Sequence, residues 1–313
     1  MGLTPSRPHE EQQFMLPDDF LVGACRNLDI RTLTNIAGVN HRLRVIIKII
    51  ILARAYGPMA KIIDYKNIPT FMAMLTSTRS VVGGSIAQAV ITPSILALHP
   101  ATNLNVFVPA GSLTEWEIYL DNIGFIYSSE SRGIDANSRR SMTFYFHNRG
   151  KGSKDAVVVC EAKGSSCLTP ILAAQYTCNI NFFTADHIYC VFPHFTPQLK
   201  TLHVNRKPLD IQETAELNVI LERGVSILTE VQEKALCNGN ILCRSMVRVT
   251  GTKPLRLTSL WAGDKIGILS WGREKEEFLH SKRVQFWLGG ACACFNCINN
   301  PYQNEEEEEE EEE

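Results

Sequence analysis

The sequence predicts a mixed α+β and α/β protein with a three-helix N-terminal module, a mixed-sheet domain and a small C-terminal α+β extension. Three observations predict it. Apolar residues keep a helical period over residues 14–56, helix and strand patterns alternate over residues 59–197, and weaker strand patterns follow over residues 201–300. The polar residues 1–13 and the acidic residues 301–313 are typical of disordered ends.

The composition is that of a globular protein, and its charge distribution bears on whether the protein binds nucleic acid. Hydrophobic residues make up 45% and charged residues 20% of the chain, which is enough to bury a core. Nine of the 33 acidic residues form the run 305–313, so the rest of the chain carries 31 basic against 24 acidic residues. No dense basic stripe with interleaved aromatic residues accompanies this excess, so the sequence does not favour nucleic-acid binding.

The N-terminus and the cysteines predict an intracellular protein, cytoplasmic or nuclear. Residues 1–13 contain no apolar signal-peptide core, so the ten cysteines are expected to be reduced thiols. The most apolar run, residues 45–53, is interrupted by Lys48 and is far shorter than the ~20 residues that span a bilayer. We expect a core helix there and no membrane span.

The first ordered segment predicts three short helices, with Asp29 placed to cap the second and Val39 near the start of the third. The spacing of its leucines and of Pro17 resembles an F-box, the helical module that binds the Skp1 adaptor of cullin ubiquitin ligases. An ordinary helical cap on the following domain is the alternative. The resemblance implies contacts to a Skp1-type adaptor through Leu16, Pro17, Leu28, Leu33 and Leu43.

Helices and strands alternate after residue 58. Helical patterns cover residues 69–77, 85–97, 113–122 and a segment from Thr169, and strand patterns cover residues 79–82, 104–108, 141–146 and 155–160. Gly150 and Gly152 suit a hairpin turn between the last two strands. A further apolar segment over residues 182–192 closes the domain. Beyond it we expect a helix over residues 211–222 and strands over residues 225–229, 245–250 and 266–271.

A glycine turn and two asparagines are expected to face one cleft. Gly83, Gly84 and Ser85 follow a strand and open a helix, where backbone N–H groups can approach a phosphate. Asn103 and Asn105 lie two residues apart on the next strand and therefore point to the same face. A tight turn without any ligand is the alternative for the glycines.

This order of turn, helix, polar-hydrophobic-polar strand and second helix resembles the polymerase-β-like nucleotidyltransferase fold over residues 59–197. The segments 168–170, 181–186 and 192–196 make the chain similar to a predicted fungal family of such domains. The resemblance implies that active members carry two aspartates at the positions of Asn103 and Asn105 and a third on a later strand, and that these carboxylates hold two Mg²⁺ ions.

Asparagines at the paired positions remove two negative charges from such a metal site. An amide offers only a neutral oxygen, and Mg²⁺ gives up its water reluctantly. Strand register places the third position at Ala156. If the register slips, Asp155 is the fallback carboxylate, and Glu161 or Asp186 could offer other oxygens. We therefore expect a degenerate site at Asn103, Asn105 and Ala156, with no catalytic residue and no cofactor.

The sequence thus predicts a pseudoenzyme, a non-catalytic interaction or adaptor protein that serves as an F-box substrate adaptor of a cullin ubiquitin ligase. One alternative is a Mg-dependent nucleotidyltransferase that uses an unrecognised carboxylate. Another is a nucleotide-binding module without catalysis, with Gly83, Gly84 and Ser85 as ligand-binding residues.

Three thiols close to the C-terminus, Cys292, Cys294 and Cys297, predict either a zinc site or reduced cysteines. His280 or Cys243 could complete a tetrahedral set of zinc ligands.

Overall fold

The computed structural model describes residues 16–97, 100–131, 141–149, 156–193, 195–203 and 211–228, together with three short strands farther along the chain. Within these residues the fold is mixed α/β, with eight α-helices and a mixed sheet of eight strands. No helix in this part of the chain is both long and apolar enough to cross a membrane. The fallback residue Asp155 and the candidate zinc ligands Cys243, His280, Cys292, Cys294 and Cys297 lie outside the described residues.

The helices begin with a group of three at the N-terminus, and the later ones are interspersed with the strands. They are α1 (Asp18–Cys25), α2 (Ile30–Ala37), α3 (His41–Ile62), α4 (Ile68–Ser77), α5 (Gly84–Ile91), α6 (Leu113–Asn122), α7 (Leu168–Leu172) and α8 (Ile211–Glu222).

The strands form one large sheet and two small ones. They are β1 (Val81–Gly83), β2 (Asn103–Val108), β3 (Phe125–Ser131), β4 (Ser141–Asn148), β5 (Ala156–Ala162), β6 (Asn181–Phe183), β7 (His187–Cys190), β8 (Lys200–Thr201), β9 (Ser226–Ile227), β10 (Arg248–Val249), β11 (Gly267–Ser270) and β12 (Gln285–Phe286). The large sheet has the order β11-β7-β6-β1-β2-β5-β4-β3, with β2 and β5 parallel and its other described neighbours antiparallel. Strand β8 pairs with β9, and β10 with β12.

Local capping explains where the N-terminal helices begin. Asp29 Oδ1 accepts hydrogen bonds from the backbone N–H groups of Arg31 at 2.9 Å and Thr32 at 3.1 Å, which confirms the predicted cap of α2. Asn40 Oδ1 accepts one from the N–H of Leu43 at 2.9 Å and caps α3 in the same way. The two caps satisfy N–H groups that a helix start leaves without partners.

Helix α3 joins the N-terminal helices to the sheet. It runs without a break past residues 56–59, where the sequence pattern changes, and Pro58 lies inside it. Ile47 and Ile50 on this helix are buried in the same hydrophobic cluster as Leu104 and Val106 of β2. The apolar run 45–53 is therefore part of a core helix, as predicted.

Several elements differ from the sequence prediction. Helix α3 was predicted to be short and has 22 residues. The helix predicted over residues 85–97 ends at Ile91, because Thr92 precedes Pro93 and takes an extended conformation; a 3₁₀ turn follows. Strand β3 was not predicted. It pairs antiparallel with β4 and forms the edge of the large sheet.

Candidate functional site

The two faces of strand β2 have different surroundings. Leu104, Val106 and Val108 are fully buried in the cluster that contains the side chains of α3 and α6, and we call this side of the sheet the helix face. Asn103, Asn105 and Phe107 point to the other side and are half-buried. We call that side the asparagine face. The predicted common orientation of the two asparagines is therefore present.

The glycine turn lies directly beside Asn105. Gly83 pairs with Asn105 across strands β1 and β2, and Gly84 follows with a φ of +68°. A Cβ atom on Gly84 would collide with Nδ2 of Asn105, and one on Gly83 would lie 2.6 Å from the ring of Phe107. The close approach of β2 therefore accounts for both glycines without a ligand. Ser85, the second residue of α5, is half-buried.

Strand β5 supplies the third position of the site. Its parallel pairing places Ala156 opposite Asn103 and Val158 opposite Asn105, so all four residues lie on the asparagine face. Ala156 and Val158 are both buried. The four positions therefore carry two amides and two apolar side chains, and none of them carries a charge.

Strand β4 adds two residues to the asparagine face that were not predicted from the sequence. His147 pairs with Ala156, and Tyr145 pairs with Val158, which brings both onto the asparagine face. Nδ1 of His147 is buried and has no hydrogen-bond partner among the described residues. Sequence reasoning missed His147 because it ended this strand at residue 146. The polar alternation of Thr143, Tyr145 and His147 is the signal that could have found it.

The other carboxylates considered for the site lie at the opposite end of the sheet. Phe183 pairs with Val82, so the turn that follows β6 and contains Asp186 lies near the start of β1. Asn105 pairs with Gly83 at the end of β1, and Gly84 follows that end. Burial first, and then the charges of Tyr65 and Asp186, raise the pKa of Tyr56 on α3. Ala185, the neighbour of Asp186 in this turn, packs against the cluster that contains the side chains of α3, so the turn borders the helix face of the sheet.

Glu161 binds backbone N–H groups away from the asparagines. It pairs with Val108 at the far end of β2, and its Oε1 accepts hydrogen bonds from the N–H groups of Gly111 at 2.9 Å and Leu113 at 3.2 Å. These bonds hold the start of helix α6. The carboxylate of Glu161 is thus a helix cap and lies away from Asn103.

The five residues expected to bind a partner have very different exposures. Leu16 and Pro17 are exposed, Leu28 and Leu43 are half-buried, and Leu33 is fully buried. Leu33 offers no surface to a partner, because it packs α2 onto the core. Other large apolar side chains of this module are exposed instead, namely Phe20, Val39, Val45 and Ile49.

The part of the chain that the structure describes contains no group of three or more His, Cys, Asp or Glu residues placed to hold a metal ion. The five cysteines in that part are buried and form no disulfide bond, namely Cys25, Cys160, Cys167, Cys178 and Cys190. Comparisons of the chain with protein-family models, with curated proteins and with solved structures gave no match.

Proposed function

We propose that the chain is a non-catalytic interaction protein built on a degenerate nucleotidyltransferase-like fold, and that its N-terminal helices bind a Skp1-type adaptor. The first part of the proposal rests on the uncharged side chains of the asparagine face. Asn103 and Asn105 lie beside a glycine turn, and the parallel strand β5 adds Ala156 and Val158.

The resemblance to nucleotidyltransferases implies carboxylates at the positions of Asn103, Asn105 and Ala156, and none of these three side chains is charged. Two Mg²⁺ ions require anionic oxygens to displace part of their water and to bridge a triphosphate. The amides of Asn103 and Asn105 are neutral, and Asp186 and Glu161 lie at the other end of the sheet. The proposal therefore assigns to this face a structural or recognition role.

The adaptor part rests on exposed apolar side chains of the N-terminal module. Arg42 donates hydrogen bonds to Asp18 and to the carbonyl oxygen of Leu16, which holds the start of α1 against the start of α3. Phe20 is 59% exposed and Val45 is 45% exposed. Exposed aromatic and branched aliphatic residues next to ordered backbone are the anchors that a helical partner module uses.

Binding of the purified full chain to a purified Skp1-type adaptor tests this part. The native chain is expected to bind, and Phe20→Ser combined with Val45→Ser is expected to weaken binding at least ~tenfold, the effect of losing about 1.4 kcal/mol. Ile118→Ser is the matched control, since Ile118 on α6 is 60% exposed and lies outside the module. Absence of binding by the native chain, or an equal loss in the control, would show that the module has another role.

The non-catalytic part has its own test. The full chain is incubated with Mg²⁺, each labelled nucleoside triphosphate and a mixture of RNA and protein acceptors, and no transfer is expected. Mg²⁺-dependent transfer that disappears in Asp155→Ala or in Asp186→Ala would instead establish the enzyme alternative. The adaptor experiment does not depend on this result.

A further inference from the structure

A cavity of about 430 Å³ lies between the N-terminal helices and α5, away from the asparagine face. Helix α3 forms one wall with Ile50 and Ala53, and α1 contributes Val22. Ala89 of α5 and Leu96 of the following turn form the opposite wall. The volume is in the range of small-molecule sites, which are largely apolar with a few placed polar groups.

Three basic side chains and no acidic one line this cavity among the residues that the structure describes. They are Arg26 after helix α1, and Arg54 and Lys61 on α3. Arg26 and Lys61 are exposed, so water can screen their charges. Arg54 differs from them because it is only 8% exposed.

Arg54 is a buried cation that is bonded to neutral groups. Its two terminal nitrogens donate to the carbonyl oxygens of Val90 at 3.2 Å, of Arg26 at 2.9 Å and of Leu28. A guanidinium has five N–H donors, and Nε of Arg54 has no partner among the described residues. Burial lowers the pKa of Arg54 to about 10, against a smaller opposing effect of Asp29, so the side chain remains charged at neutral pH.

A buried charge is costly unless an opposite charge or a full set of hydrogen bonds compensates it. The described residues provide three carbonyl oxygens and no hydrogen-bonded carboxylate for Arg54. An anion in the adjoining cavity would add an opposite charge beside Arg54 to that of Asp29, and hydrogen bonds between charged groups are stronger than those between neutral groups.

We propose that this cavity binds a small organic anion, with its acidic head group beside Arg26, Arg54 and Lys61 and its apolar body between α3 and α5. A carboxylate and a phosphate monoester share this chemistry. The cavity lies on the helix side of the chain, so this site is independent of the asparagine face at Asn103 and Asn105.

Fluorescence titration of the full chain with anilinonaphthalene sulfonate, an apolar anion, tests the proposal. Its uncharged relative, N-phenylnaphthylamine, is the matched probe. The anion is expected to bind at least ~tenfold more tightly than the uncharged probe, a difference of about 1.4 kcal/mol. Octanoate and octyl phosphate are then added as competitors, with octanol as the neutral control, and displacement by either acid but not by octanol is expected.

Variants at exposed positions locate the site without disturbing buried Arg54. Arg26→Ser combined with Lys61→Ser is expected to weaken binding of the anionic probe ~tenfold, and Lys48→Ser, an exposed cation of α3 outside the cavity, is its control. Ala53→Leu should narrow the cavity and weaken binding, whereas Ala73→Leu on α4 should not. Equal binding of both probes, or probe binding unchanged in the double variant and in Ala53→Leu, would overturn the proposal.

Discussion

At the scale of single residues, the fit between Gly84 and Asn105 governs the geometry of the asparagine face. Gly84 has a left-handed φ of +68°, and the side chain of Asn105 occupies the space that a Cβ atom would need. Gly124 has a similar φ of +92°, but nothing lies within 4 Å of its Cβ position. A substitution at Gly124 would therefore meet only backbone strain, whereas one at Gly84 would meet backbone strain and a steric conflict with Asn105.

Gly84→Ala is expected to lower the free energy of unfolding by about 2 kcal/mol or more, because it adds a steric conflict to the left-handed backbone. Gly124→Ala should cost only about 1 kcal/mol, the backbone part alone. In an Asn105→Ala background the cost of Gly84→Ala should fall to that same level. Urea unfolding of the four variants measures this, and an unchanged cost in the Asn105→Ala background would contradict the proposed contact.

At the scale of elements, the start of α2 depends on one charged cap. Burial acts to raise the pKa of Asp29, but hydrogen bonds from Thr32 and from the backbone N–H of Arg31 outweigh it, so the pKa lies below its ordinary value of 3.8. The hydroxyl of Thr32 donates to Oδ2 at 2.6 Å. A lowered pKa means that the ionised cap stabilises the fold above the ordinary pKa, and that this stability is lost as the pH falls through the folded-state value.

Asp29→Ala is therefore expected to reduce the free energy of unfolding by about 1 kcal/mol at pH 7, the usual loss for a helix cap. The difference from the native chain should narrow as the pH falls below the ordinary aspartate pKa of 3.8 and through the lower pKa of the folded state, where the native cap becomes protonated. Asp121→Ala is the control, because its ion pair with Arg149 is exposed and contributes little. Urea unfolding between pH 3 and 7 measures both, and a difference that does not change with pH would argue against a charged cap.

At the scale of the whole molecule, the N-terminal helices and the sheet share one core. Leu33 of α2, Ile47 of α3 and Val106 of β2 belong to a single hydrophobic cluster. Trp116 of α6 lies in the same cluster, and its indole N–H donates to Ser80 at 3.1 Å. The shared cluster indicates that the segments predicted as separate modules unfold together.

Leu33→Ala is expected to cost about 2 to 5 kcal/mol, as truncations of buried leucines do, and to destabilise the sheet as well as the helices. Hydrogen exchange measured by mass spectrometry should therefore accelerate in peptides of β2 as much as in peptides of α2. Leu221→Ala on α8 is the control, because Leu221 is 47% exposed. Faster exchange confined to residues 16–62 would show that the module unfolds independently.

Much of the local structure could be predicted from the sequence, because the signals are local. The bounds of α6 and α8 agree with their apolar periods, and Asp29 caps α2 as its position indicates. Strand β3 was missed, and so was the early end of α5. Both depend on surroundings that a short window of sequence does not contain, namely pairing with β4 and the conformation imposed before Pro93.

The sequence by itself determined that Asn103 and Asn105 face the same way and that neither carries a charge, because side chains alternate along a strand and amides do not ionise. Only the tertiary structure decided which residues stand beside them. The parallel pairing of β2 with β5 brings in Ala156, the pairing of β4 brings in His147, and the antiparallel β6 carries Asp186 to the far end of the sheet. Strand order and register join residues that are distant in the chain, and so they set the chemistry of this face.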